Sequence, residues 1–153
     1  MTKKNLSKNK GFTLVELIVV LVILAILAAI LVPTLLGYID KARSEKDFAT
    51  AQAVRVAMQA QLDELYGKGN IAATDKTSTV LMKEENTKAA LKLVTGNEDG
   101  KLDAQTVSVV SVTTSDGEKG YQIEDITVKI TEKGGAEHEY EYKSSDNTWS
   151  AKK

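Results

Sequence analysis

The feature that most constrains this chain is a long apolar segment close to its N-terminus. Residues 17–32 are sixteen consecutive apolar residues, and Glu16 is the only ionisable side chain between Phe12 and Leu36. As an α-helix, residues 12–36 extend about 38 Å, which is enough to cross a hydrocarbon layer of about 30 Å. The sequence therefore predicts a helix that lies in a membrane or against other apolar helices.

The charges on the two sides of this segment predict its orientation. Four lysines and no acids lie in the first eleven residues, whereas Lys41 and Arg43 after the segment are offset by Asp40 and Glu45. Because the cytoplasmic flanks of membrane helices are enriched in lysine and arginine, we expect the N-terminus in the cytoplasm and the residues after Leu36 outside. A cleaved secretory signal fits poorly, since its apolar region is shorter, about 7–15 residues.

Glu16 is the residue that an ordinary single-pass anchor leaves unexplained. A carboxylate within a bilayer costs about 3 kcal/mol, and residues 12–15 and 17–36 offer no basic side chain. The partner of Glu16 is therefore expected from elsewhere. Cleavage between Gly11 and Phe12 would create an α-amino cation four residues from Glu16. Pairing of Glu16 in one subunit with Phe12 in the next would satisfy both charges and set the register of an assembly.

The residues around Glu16 resemble a known processing signal. Residues 10–16 read KGFTLVE and precede the aliphatic run, which resembles the class III signal peptide of type IV pilins and the related pseudopilins. The resemblance implies that a prepilin peptidase removes the leader, residues 1–11, by cleaving after Gly11, and that Phe12 is then N-methylated. It also implies that Glu16 neutralises the Phe12 amine of a neighbouring subunit and that the helix bends near Pro33. The chain has no cysteine, so it resembles Gram-positive members that lack the disulfide.

The residues after the apolar segment predict an amphipathic continuation of the helix. Residues 37–66 are rich in good helix formers, and their apolar positions recur three or four residues apart: Phe48, Ala51, Val54, Met58, Leu62 and Leu65. We expect Gly67 and Gly69 to end the helix. Residues 12–66 are thus predicted to form one nearly continuous helix, with a kink near Pro33 because proline lacks an amide hydrogen.

Residues 67–153 predict a small globular head. A short helix or turn is expected at 79–94, ended by Gly96, and a turn at 97–100. Valine-rich or alternating segments predict three or four antiparallel strands: 106–113, 121–131, 137–143 and a segment around Trp149. The predicted fold class is α+β, with a long N-terminal helix packed on a small antiparallel sheet, as the resemblance to the pilin fold also implies.

Few side chains of the head belong to a pattern that is typical of a catalytic, cofactor or metal site. The sequence has no glycine-rich phosphate loop after a strand and no G-x-S-x-G elbow, so we predict no enzyme, no catalytic residue and no cofactor. His138 has no second histidine to share a metal and is expected to pack or to lie on the surface. Several turn residues could offer oxygen ligands to calcium, but their spacing fails the EF-hand pattern and favours solvated acids: Asn97, Asp99, Asp103, Asp116, Glu118 and Asp125.

The sequence as a whole predicts a structural subunit of a type IV pilus filament that supports adhesion, motility or aggregation. Its partners would be other copies of the chain, minor pilins, the assembly machinery, the peptidase and, before assembly, the membrane. A pseudopilin of a type II secretion or competence DNA-uptake system is the first alternative, and an unpolymerised single-pass binding module is the second. Nucleic-acid binding is not expected, because the net charge is −1 and the lysines are interspersed with acids; a basic patch formed only on assembly stays open.

Overall fold

The computed structural model describes residues 11–71, 77–97, 99–102, 105–115 and 122–152. Within these ranges, three helices come first: α1 (Leu14–Gly67), α2 (Thr77–Leu81) and α3 (Glu84–Thr95). Five strands follow: β1 (Lys101–Leu102), β2 (Gln105–Ser115), β3 (Gln122–Glu132), β4 (Glu137–Lys143) and β5 (Thr148–Lys152). The predicted α+β class, with a long N-terminal helix and a small antiparallel sheet, is confirmed. The chain divides into two units, Met1–Arg43 and Ser44–Lys153, and α1 contributes residues to both.

In the first unit, α1 is apolar around its whole circumference over residues 17–32. All described residues from 11 to 43 are exposed within the isolated chain, and the helix is long and apolar enough to cross a membrane. α1 continues through Pro33, and the Thr34 hydroxyl donates to the carbonyl of Leu31 at 2.8 Å. The bend expected at Pro33 stays a prediction.

In the second unit, one stripe of α1 is buried. The buried residues recur at helical spacing: Asp47, Thr50, Ala51, Val54, Ala57, Met58, Gln61, Leu62 and Leu65. Five of the six predicted apolar positions are among them. The sixth, Phe48, is 36% exposed and contacts the sheet through the rings of Tyr140 and Trp149. The polar Asp47 takes the buried position beside it.

Glycine ends α1 two residues beyond its last helical residue. Gly67 is still helical, whereas Gly69 has a φ of +69°, a left-handed conformation that glycine adopts without steric cost. The Gly69 N–H donates to the carbonyl of Tyr66, and the Asn70 N–H donates to that of Leu65, both at 3.0 Å. This pair of bonds is a Schellman motif, so Gly69 is the residue that stops the helix.

The single short helix predicted at 79–94 is two helices in the structure. α2 and α3 are joined through Asn86, whose buried side-chain amide donates to the carbonyl of Val80 at 2.8 Å. Gly96 ends α3 as predicted, with a φ of +76° and an N–H that donates to the carbonyl of Lys92. The sequence pattern predicts one element here, whereas in the structure the side chain of Asn86 connects two separate helices.

The five strands form an antiparallel meander in the order β1-β2-β3-β4-β5. β2 to β5 correspond to the predicted strands; β1 is not among them, because two residues are too few to show a periodicity. The register of β2 shifts between Val109 and Ser111, which leaves Val110 as an extra, exposed residue. Such a bulge changes the face on which later side chains lie, so Val107 and Val112 are both buried although they are five positions apart, an odd spacing that would place them on opposite faces of a regular strand.

The core of the second unit lies between the buried stripe of α1 and one face of the sheet, with α2 and α3 at its edge. Its least exposed apolar side chains come from all of these layers: Ala51, Val54, Met58, Leu62, Leu81, Ala90, Val107, Ile123, Ile126, Val128 and Ile130. At one point the helix also bonds the sheet directly, since the Ile123 N–H donates to Gln59 Oε1 at 2.9 Å. The Arg55 guanidinium lies 3.8 Å from the centre of the Tyr142 ring, a cation–π contact.

Candidate processing and assembly site

Glu16 lies in the first turn of α1, and the residue that precedes the helix binds its carboxylate. The Thr13 N–H and the Thr13 hydroxyl both donate to Glu16 Oε2 at 2.9 Å. In return, the Glu16 N–H donates to Thr13 Oγ1 at 3.2 Å. This reciprocal arrangement is a capping box, which satisfies amide groups that have no intrahelical partner at a helix N-terminus.

The capping box corrects the expectation that the partner of Glu16 must come from elsewhere. That expectation considered only basic side chains, whereas Thr13 supplies two uncharged donors from within the same chain. The signal is visible in the sequence, because a threonine followed three residues later by a glutamate, just before an apolar run, is the capping-box pattern. Thr13 is therefore a site residue that sequence reasoning missed.

The capping box uses only one of the two carboxylate oxygens of Glu16. Both donors from Thr13 reach Oε2, and within the described part of the chain no other side chain bonds to the carboxylate. Thr13 carries no charge, so it does not neutralise the negative charge of Glu16. The site thus presents one oriented carboxylate that has an oxygen and a charge left for a second partner.

Gly11 and Phe12 precede α1, and both are exposed; Phe12 is 88% exposed. Gly11 does not have a positive φ, and a Cβ atom placed on it would meet no atom within 4 Å. The local conformation therefore gives no reason for a glycine at this position. The leader lysines, residues 3–10, lie outside the described residues.

Two of the turn residues considered for calcium, Asn97 and Asp99, interact with Lys101 in the structure. Asn97 Oδ1 accepts from the Lys101 N–H at 2.9 Å, and its amide nitrogen donates to the Lys101 carbonyl at 2.6 Å. Asp99 lies 3.7 Å from the Lys101 ammonium. Asn97 thus closes the loop between α3 and β1. Three of the six residues lie outside the described ranges: Asp103, Asp116 and Glu118.

Lysines on the sheet are paired with acids. The Lys129 ammonium donates to Glu137 at 3.0 Å and lies 3.8 Å from Glu139; the hydrogen bond and the charge of Glu137, with a smaller contribution from Glu139, raise the pKa of Lys129. Lys152 lies 3.6 Å from Glu141. The charges of Lys129 and Lys152 are therefore offset by neighbouring carboxylates on β4.

In the comparison with protein families, residues 6–32 match the prokaryotic N-terminal methylation motif. The matched segment contains Gly11, Phe12 and Glu16 and the first turns of α1. Neither the comparison with curated proteins nor the comparison with solved structures found a match. The motif is typical of type IV prepilin-like class III signals, and its family is one of structural pilin-type proteins. Residues 6–32 are thus identified as a type IV prepilin-like class III signal at the start of a long apolar helix.

Proposed function

We propose that the chain is the precursor of a structural subunit of a type IV pilus filament. In this proposal, a prepilin peptidase cleaves between Gly11 and Phe12, Phe12 is N-methylated, and the mature chain polymerises through its N-terminal helix. The observation that carries the proposal is the Glu16 carboxylate. Thr13 orients this carboxylate, which has no countercharge among the described residues. It lies in the first turn of a helix whose apolar side chains are all exposed over residues 17–32.

The Phe12 amine of an adjacent subunit supplies the missing countercharge. Cleavage after Gly11 would make that amine an α-amino cation at neutral pH. Because the capping box occupies Oε2, the second oxygen of Glu16 is the one that accepts this amine. Thr13 and Glu16 then have different tasks: Thr13 holds the carboxylate in place, and Glu16 pairs with the neighbour. A buried charge pair of this kind contributes mainly to the specificity of assembly.

Apolar contacts between subunits would supply most of the free energy of assembly. Burial of about 1,000 Å² of apolar surface per subunit contributes about 25 kcal/mol before the costs of ordering are subtracted. Before assembly, lipid covers the same side chains, with the N-terminus in the cytoplasm. Head-to-tail repetition without closure then produces an open helical filament.

The proposal divides the chain by task. Residues 1–11 are the leader, residues 12–36 are the membrane and filament-core helix with the bend at Pro33, and residues 37–66 are the amphipathic helix that carries the head. Residues 67–153 form the head, whose exposed loops and strands mediate adhesion, motility or aggregation. The assembly machinery and minor pilins are the further partners. The family of the methylation motif supports this structural function in general.

Electron microscopy of the producing cells tests the proposal. We expect long surface fibres that an antibody against the head labels along their length, and that disappear when the chain or the prepilin peptidase is deleted. A processed chain confined to short filaments within the cell envelope would instead favour a pseudopilin. A chain that stays unpolymerised in the membrane would contradict filament assembly and leave the single-pass binding module.

A further inference from the structure

The sheet face that packs on α1 ends in polar side chains. On β4, His138 lies on the same face as the buried Tyr140 and Tyr142, and it is paired with Ile130 of β3. Glu132 follows Ile130 by two residues, and alternate residues of a strand share a face. An otherwise apolar face therefore carries an imidazole and a carboxylate at one end.

Asp47 reaches the same place from α1. One carboxylate oxygen of Asp47, one of Glu132 and one imidazole nitrogen of His138 all lie within 4.8 Å of one another. Asp47 is only 1% exposed, Glu132 is half-buried and His138 is exposed. The group is therefore closed by the helix on one side and reaches solvent at the histidine.

The buried Asp47 carboxylate has no positive partner. Among the described residues, its one hydrogen bond comes from the neutral Gln105 amide, whose Nε2 donates to Asp47 Oδ1 at 2.7 Å. The other end of that amide, Gln105 Oε1, is a buried atom without a partner in the same ranges. A buried carboxylate without a countercharge is strongly unfavourable. The lack of a countercharge for Asp47 is a separate observation from the distances between the three ligand atoms, and it also points to a bound cation.

We propose that Asp47, Glu132 and His138 bind one divalent transition-metal cation, and we take Zn²⁺ as the ion to test. One imidazole nitrogen and two carboxylate oxygens are donors that Zn²⁺ and its first-row neighbours accept, whereas Ca²⁺ and Mg²⁺ favour oxygen alone. In a tetrahedral site, two ligand atoms at about 2.0–2.2 Å from one Zn²⁺ ion lie about 3.3–3.6 Å apart. The three ligand atoms lie within 4.8 Å of one another, so the more exposed side chains, Glu132 and His138, reach this spacing by moving up to about 1.5 Å.

The surrounding residues suit the proposed site. Gln105 holds the Asp47 carboxylate by its amide, as residues behind metal ligands commonly do. The Glu132 N–H donates to the Ala136 carbonyl at 2.8 Å, which fixes the backbone of that ligand in the turn between β3 and β4. Because the three ligands come from α1, β3 and β4, a bound ion would tie the helix to the hairpin and stabilise the folded head.

The test titrates the full-length chain, without a histidine tag and in detergent micelles, with Zn²⁺ alone. Calorimetry should give one site per chain, and the melting temperature should rise with the Zn²⁺ concentration. Nuclear magnetic resonance with labelled histidine reports a single imidazole, because His138 is the sole histidine of the chain. We expect its ring signals to shift and to saturate at one equivalent of Zn²⁺.

Two matched variants of β4 provide the control. His138→Gln removes the imidazole ligand, and Glu137→Gln removes the neighbouring carboxylate, which bonds Lys129. We expect His138→Gln to weaken Zn²⁺ binding at least about tenfold and Glu137→Gln to leave it unchanged. Equal Zn²⁺ affinity in the parent and His138→Gln would overturn the proposal. So would imidazole signals that respond to pH but not to Zn²⁺, because His138 would then act as a protonated partner of the carboxylates.

Discussion

Replacement of Glu16 by alanine is expected to leave the chain inserted in the membrane but to lower the yield of filaments at least about tenfold. The reason is that the Phe12 amine of the neighbouring subunit would be buried without its countercharge. Loss of one member of a buried pair costs about 3 kcal/mol, and about 1.4 kcal/mol is tenfold in an equilibrium constant. The measurement is the amount of the chain in sheared filaments, compared with the amount in membranes by immunoblot.

Two further substitutions separate charge pairing from helix capping. Glutamine at position 16 retains the capping box with Thr13 but removes the charge, so we expect Glu16→Gln to assemble as poorly as Glu16→Ala. Thr13→Ala removes the cap, typically worth about 1 kcal/mol, and retains the charge, so most of the filament yield should persist. Normal yield from Glu16→Gln would show that the carboxylate acts as a cap alone, and it would refute the pairing of Glu16 with the neighbouring amine.

Replacement of Met58 by alanine is expected to lower the free energy of unfolding of the second unit by about 2–5 kcal/mol. Met58 is fully buried in the stripe of α1, and removal of its side chain would leave a cavity against the sheet. Urea unfolding of the full chain in detergent measures the effect through the fluorescence of Trp149. This is the single tryptophan of the chain, and it contacts the rings of Phe48 and Tyr142.

The matched control for Met58 is a neighbour on the same helix that points away from the core. Val56 is 65% exposed, so Val56→Ala should change the free energy of unfolding by no more than about 0.5 kcal/mol. An equal loss of stability in the two variants, or no loss in Met58→Ala, would contradict the burial of the Met58 side of α1.

The periodicity of apolar residues predicted most of the second unit because its main elements are long and bury only one face. β4 has the predicted bounds, and five of the six predicted apolar residues of α1 are buried. The exceptions have tertiary causes. Asp47 is buried beside the exposed Phe48, where Gln105, far along the chain, donates to its carboxylate, and no local pattern carries that information. The split of α2 from α3 likewise depends on the side chain of Asn86.

The two candidate sites differ in how far the sequence predicts them. Gly11, Phe12 and Glu16 lie within one short motif, so their spacing was enough to single them out. The same residues also contain the capping-box pattern of Thr13 and Glu16, but a search for charged partners alone does not detect it. Asp47, Glu132 and His138 come from three elements and meet only after folding. A lone histidine therefore gave no metal signal in the sequence.

The intact mass of the mature chain, purified from cells that produce it, tests the central claim most directly. The proposed processing predicts a mass that lacks residues 1–11 and carries one additional methyl group on the new N-terminal residue, Phe12. A mass that includes Met1 or the rest of the leader, in cells with an active prepilin peptidase, would contradict cleavage after Gly11. It would also remove the α-amino group on which the proposed pairing with Glu16 depends.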